Sequence, residues 1–134
     1  MSTKIFVNLP VRDLSRSIDF FTGLGFSFNA QFTDENAACL VISDDIYAML
    51  LVEKFFKSFT PKQVADATRT TEAIVALGLD SREQVDELAG KALASGGRPA
   101  NEPMEHDAMY GRSFQDPDGH IWEVFHLDPA AVQS

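Results

Sequence analysis

The sequence predicts an α+β fold made of two β-α-β-β-β modules, with mixed sheets curved around a cleft and helices outside. Three observations carry that prediction. Short apolar runs alternate with the period of strands, two helical stretches each begin at a capping residue and stop at glycine, and the order of these elements repeats. Setting Leu9-Pro10-Val11-Arg12-Asp13 against Leu77-Gly78-Leu79-Asp80-Ser81 aligns strand end with strand end and cap with cap. An internal duplication explains the repeat economically. A right-handed β-α-β crossover puts each helix on one face of its sheet, so the opposite faces can line a shared cleft.

Residues 4–11 form the first apolar strand, and Asp13 or Ser15 then caps a helix that places Leu14, Ile18 and Phe21 on one side. Gly23 and Gly25 end it. Strands follow over 26–29, 37–42 and 47–52, separated by the polar turns Asp34-Glu35-Asn36 and Ser43-Asp44-Asp45. In the connecting region, Thr60-Pro61-Lys62-Gln63 reads as a helix start, with Thr as N-cap, Pro at the first position and Gln closing a capping box. A short helix is expected from there to about residue 68. Phe55, Phe56 and Phe59 precede it, either packing beneath this segment or lining the mouth of a cleft; packing is the expectation.

The second module opens with a strand over 71–79, and Ser81-Arg82-Glu83-Gln84 starts a helix with Val85, Leu88, Ala89, Ala92 and Leu93 at helical spacing. Gly96-Gly97 stops it. Residues 98–101 suit a short edge strand because Pro99 cannot donate to a ladder, and 102–108 read as a polar loop. Runs over 109–115 and 121–127 close the chain as a hairpin around Asp116-Pro117-Asp118-Gly119, where Pro presets φ and Gly accepts the turn's last dihedrals. The chain therefore reads as one domain, with a first module at about 3–53, a connecting helical segment at about 54–70 and a second module at about 71–128.

At 134 residues the chain can bury a core without disulfide or structural metal, and 45% hydrophobic with 23% charged residues is ordinary for a globular protein. A net charge of −9 argues against nucleic acid or an anionic membrane as partner and suits a neutral or cationic small molecule. With Cys39 the only cysteine, no internal disulfide can form, and a reducing cytoplasm is the expected compartment. The first residues show no secretory signal pattern, and no apolar run reaches membrane-spanning length.

Alternation in the last strand puts Ile121, Glu123 and Phe125 on one face and Trp122, Val124 and His126 on the other. Glu123 is thus a carboxylate inside an apolar strand, and it must be solvated, paired or put to use. The histidines have neither the His-x-His nor the His-Glu-x-x-His spacing of a metal motif.

The run Leu9-Pro10-Val11-Arg12-Asp13-Leu14, its continuation through Ser17-Ile18-Asp19-Phe20-Phe21 to Leu24-Gly25-Phe26, the module repeat, and Asp116-Pro117-Asp118-Gly119-His120-Ile121-Trp122-Glu123 together resemble the vicinal oxygen chelate superfamily. That superfamily includes glyoxalase I, bleomycin-resistance proteins and extradiol dioxygenases, and the chain looks nearest to bacterial lactoylglutathione-lyase-like proteins. The resemblance implies a small oxygenated substrate in the inter-module cleft, lyase or isomerase chemistry, and a homodimer. It also implies a divalent ion held by the first and fourth strands of each module. Carried over position by position, those places fall at Phe6, at Met49 or Leu51, at Ile74 and at Glu123. Only Glu123 can ligate a hard ion, so the expectation is no metal or a weakly bound one.

Two roles remain open for Glu123: a cleft ligand or general base, or a buried acid satisfied by a neighbour such as Arg112. The candidate ligand-binding residues are Phe6, Asn8 and Tyr47 in the first module and Tyr110 and Arg112 in the second, the last two sharing a strand face as a donor pair. Ala76 and Gly78 are small and share the face of Ile74, which leaves room for a ligand or for close packing. Two function classes follow: a lyase-like enzyme with Glu123 as its catalytic group, and a metal-free drug-binding protein of the bleomycin-resistance kind in which Phe6, Phe55 and Trp122 stack on a cationic ligand.

Overall fold

The computed structural model describes residues 2–128, and the chain divides into two compact units, Met1–Asp66 and Ala67–Ser134. The first unit contains β1 (Ile5–Val11), α1 (Leu14–Gly23), β2 (Ser27–Asn29), β3 (Ala37–Val41), β4 (Ile46–Val52) and α2 (Glu53–Lys57). Its sheet has the order β1-β4-β3-β2, with β1 parallel to β4 and the other pairs antiparallel. The second unit contains β5 (Ile74–Gly78), α3 (Arg82–Ala94), β6 (Arg98–Pro99), β7 (Met104–His106), β8 (Met109–Gln115) and β9 (Ile121–Leu127). The order β5-β9-β8-β6 repeats that of the first sheet, again with one parallel pair, β5 with β9. The α+β class and the repeated module both stand.

Capping chemistry starts each helix at the aligned position. Asp13, in extended conformation, accepts from the Arg16 N–H at 3.1 Å, and Ser81 accepts from the Gln84 N–H at 3.1 Å. The reciprocal bond of the second cap falls one residue early, on the Asp80 N–H at 2.8 Å. Helix α1 lays Leu14, Ser17, Phe20 and Phe21 on β3 and β4, where Ala38, Leu40, Ala48 and Leu50 are wholly buried. Helix α3 lays Val85, Ala89 and Ala92 on β8 and β9, where Phe114, Trp122 and Val124 are wholly buried.

The structure corrects two expectations. No helix spans 60–68; the helical turn comes earlier, at Glu53–Lys57. Thr60 Oγ1 accepts from the Lys62 N–H, two residues on, which makes a local turn in place of an N-cap. Residues 61–70 are almost all exposed, and a capping signal without an apolar face to bury does not sustain a helix. The polar loop expected over 102–108 instead holds β7, which pairs with β8 in the register Met104↔Gly111, Glu105↔Tyr110 and His106↔Met109. Its side chains are all exposed, so backbone pairing forms it and no hydrophobic alternation announces it.

The closing turn is built around Asp116, only 3% exposed. Its Oδ1 accepts from the N–H groups of Asp118 and His120 at 2.9 and 3.0 Å, and its Oδ2 from Trp122 Nε1 at 3.0 Å. Burial pushes its carboxyl above the usual range, opposed by His120 and by these donors. Gly119, at φ +91°, completes the turn against the backbone of Ala67 and Thr68.

Candidate functional site

In the first unit, parallel register sets Phe6 beside Tyr47, Asn8 beside Met49 and Pro10 beside Leu51, all on the sheet face away from α1. The rings of Phe6 and Tyr47 stack 4.8 Å apart and 10° from parallel. Phe6 nevertheless stays 49% exposed. Tyr47 donates its hydroxyl to the Asp44 carbonyl at 2.8 Å, and Lys4 Nζ stands 5.8 Å from the Tyr47 ring while bound to Asp45 at 3.0 Å. That bond raises the Lys4 pKa and lowers that of Asp45.

Helix α2 brings Phe56, Phe59 and Thr60 alongside Asn8 around a recess of about 500 Å³. Phe59 meets Phe55 edge-on at 5.1 Å, and the two are 68% and 37% exposed. Phe56 and Phe59 thus line an opening, while Phe55 packs against Phe59. Thr60 had no such signal in sequence, where it reads as a helix cap, because the α2 turn that leads to it follows β4 without a side-chain cap.

In the second unit, Glu123 sits on the face away from α3, with Ala76 of β5 on one side and Ser113 of β8 on the other. It is partly exposed, as Ala76 beside it is exposed. Ser113 Oγ is engaged elsewhere, accepting from the Asn101 N–H at 2.8 Å. The Phe125 ring lies against Gly78, 3.4 Å from where a Cβ would stand.

Tyr110 and Arg112 share a face as expected, but it is the α3 face, opposite Glu123. Both reach Asp86 of α3, Tyr110 through its hydroxyl and Arg112 through Nη1 at 3.3 Å. The Tyr110 bond holds the Asp86 carboxyl below its usual range and raises the tyrosine. Arg82 lies over the Tyr110 ring at 4.3 Å and pairs with Glu105 at 3.0 Å. This cluster ties α3 to β8 and β7, so Arg112 is not the partner that satisfies Glu123. Trp122 is corrected too: at 1% exposure, with its N–H on Asp116, it belongs to the core and offers no stacking surface.

The resemblance implies metal ligands on the first and fourth strands of each module. The first unit presents Phe6 and Met49 or Leu51 there, and the second presents Ile74 and Glu123. Among the described residues, no three His, Cys, Asp or Glu side chains group closely enough to hold an ion. Neither the apolar pair of the first unit nor Ile74 with the lone Glu123 carboxylate of the second fits a tightly held divalent metal.

No curated protein is a significant match to the sequence. Among solved structures, the hypothetical protein SA1046 from S. aureus is 28% identical, with 95% of each chain covered and a TM-score of 0.80. The fosfomycin resistance protein FosX from Mesorhizobium loti shares the fold at 16% identity, covering 100% of this chain and 99% of its own, with a TM-score of 0.69. TnmS3, an antibiotic binding protein from Streptomyces sp. CB03234, shares it at 18% identity, covering 96% and 98%, with a TM-score of 0.67. The family model of the Glyoxalase/Bleomycin resistance protein/Dioxygenase superfamily matches residues 5–124, nearly the whole described chain, and the protein belongs to that superfamily.

Proposed function

We propose that this protein binds a small molecule on its exposed sheet faces without a tightly held metal. The observation that carries the reading is that the places where the resemblance implies ligands hold Phe6, Met49 or Leu51, and Ile74, with Glu123 the one carboxylate among them. Exposed rings at Phe6, Phe55 and Phe59 supply contact surface, and the net charge of −9 favours a neutral or cationic ligand. Structural relatives named for fosfomycin resistance and antibiotic binding support this class. The test is elemental analysis of the purified protein together with thermal melting against Ni²⁺, Zn²⁺ and a cationic glycopeptide antibiotic. The glycopeptide is expected to raise the melting temperature saturably while the ions leave it unmoved. A stoichiometric ion, or a shift that saturates at one equivalent of metal, would sink the reading.

A lyase-like activity is the second reading, favoured by the setting of Glu123. Its carboxylate is partly exposed, bonded by no other described residue, and faces the small Ala76, so a substrate C–H next to a carbonyl can approach it. Glu123 then acts as general base. Turnover of the methylglyoxal–glutathione adduct that drops at least 100-fold in Glu123→Gln is the expected signature. Absence of turnover in the wild type removes this reading and leaves the binding one in place. The same reading includes a homodimer in a reducing cytoplasm; light scattering that returned a monomer mass would overturn the former.

A further inference from the structure

We infer that the exposed stretch from Lys54 to Lys62 is a docking surface for an acidic peptide segment of a protein partner, one that carries apolar side chains among its carboxylates. The inference stands apart from the small-molecule reading, in which these lysines take no part. Three of the chain's five lysines, Lys54, Lys57 and Lys62, fall within this stretch and no acid does, although the whole chain carries a net charge of −9. All three are exposed. Five other cations are matched: Lys4, Arg12, Arg82, Lys91 and Arg112 each reach a carboxylate at 2.9–3.3 Å. Among the described residues, no carboxylate pairs with Lys54, Lys57 or Lys62. The C-terminal end of α2 favours a cation in its last turn, where Lys54 and Lys57 lie. That leaves Lys62, beyond the helix, without a local cause, and it sets Lys54 and Lys57 at a spacing where like charges repel.

Phe55 and Phe59 stand among these lysines, their rings in edge contact and exposed. Rings left wet beside unpaired cations make one surface both apolar and basic, which is the character of an interaction site. Charge complementarity then selects the partner. At physiological ionic strength a charge is felt over about 8 Å, so a short segment lying on this stretch meets its lysines and is screened from acids farther away. Its carboxylates pair with the lysines, and its apolar side chains cover Phe55 and Phe59. An anionic bilayer or a nucleic acid would face far more of the chain, and the net charge of −9 would repel it.

Fluorescence anisotropy of short labelled peptides titrated with the full chain tests this. The first peptide sets leucine and phenylalanine among glutamate and aspartate; the second replaces its apolar residues by serine, and the third its acids by lysine. The first is expected to bind one per chain, at least tenfold tighter than either of the others, and to weaken as salt is raised. Lys54→Glu combined with Lys57→Glu should weaken it at least tenfold and Phe59→Ser several-fold, with unchanged melting curves confirming the fold. Failure of the first peptide to bind, equal binding of the serine or lysine peptide, or affinity indifferent to the double charge reversal overturns the inference. Vesicles of phosphatidylserine and phosphatidylcholine and a single-stranded oligonucleotide go through the same titration, and either one binding in place of the peptide overturns it in favour of lipid or nucleic acid. A dimer in light scattering that the double charge reversal dissociates overturns it in favour of a second copy of this chain. Each of these outcomes leaves the small-molecule reading intact.

Discussion

The two units share a strand order and a crossover, yet they fill the space between helix and sheet in opposite ways. In the first, the helix carries the large rings, Phe20 and Phe21, and the sheet beneath offers Ala38, Leu40, Ala48 and Leu50. In the second, the sheet carries Trp122 and Phe114, and the helix offers Val85, Ala89 and Ala92. Close packing demands that the layers interdigitate, but it is indifferent to which layer supplies the bulk. Duplicated modules can therefore diverge by exchanging large and small positions across the interface while the topology holds.

The outer sheet faces diverge as well. The first unit presents stacked rings and an amide, the second a carboxylate among small residues. The first unit's face is thus aromatic, whereas the second sets a carboxylate beside small side chains.

The largest test of the comparison is Trp122→Ala. Because the side chains that α3 buries are the small Val85, Ala89 and Ala92, little volume is at hand to fill the void, and the expected loss is about 3–5 kcal/mol from cavity formation. Asp116 Oδ2 also loses its donor at a buried position, which costs about 1–3 kcal/mol more. Urea unfolding measures the sum, and Trp122→Phe isolates the second part. A loss below about 2 kcal/mol for the alanine variant would mean that the sheet does not carry the bulk of this core.

Next in size is a pair of glycines that differ between the units. Gly25 and Gly119 both take positive φ, +102° and +91°. A Cβ on Gly25 meets nothing within 4 Å, so Gly25→Ala should cost only backbone strain, about 1–2 kcal/mol. On Gly119 it would stand 2.9 Å from the Ala67 carbonyl oxygen and 3.0 Å from Thr68 Cα, both backbone atoms that cannot rotate away. Gly119→Ala should add overlap of about 1–3 kcal/mol to the same strain. Equal melting temperatures for the two variants would contradict that close approach.

How much of this was legible in the sequence follows from which forces leave a local trace. Helix caps at Asp13 and Ser81, glycine stops and strand alternation are local, and they located both modules and the face of Glu123. The β7 strand left no trace because its stability comes from pairing with β8 while its side chains stay wet. The capping pattern at Thr60 misled for the converse reason, a local signal with no buried face behind it. The pairing of Tyr110 and Arg112 with Asp86 needed the packing of α3 on β8, which period-two reasoning along one strand cannot supply. Trp122 was misassigned as a ligand platform because its partner, Asp116, reads in sequence as an ordinary turn residue.

The smallest effect expected distinguishes the outer acids of the two units. Asp45 pairs with Lys4 across strands already joined by their ladder, whereas Asp86 joins α3 to β8 through Tyr110 and Arg112. Both carboxyls are held below their unfolded value, Asp45 chiefly by the Lys4 bond and Asp86 chiefly by the Tyr110 hydroxyl. Each therefore contributes stability above the unfolded pKa of about 3.8, and that contribution fades as pH falls through the lower folded value. Denaturant midpoints for wild type, Asp45→Asn and Asp86→Asn between pH 7 and pH 2 should show both variants below wild type at neutral pH and converging with it in acid. Since Asp86 alone connects two layers, its variant should start further below. A gap that persists undiminished to pH 2 would show that the Asp86 cluster acts through neutral hydrogen bonding, with its charge contributing nothing to holding helix on sheet.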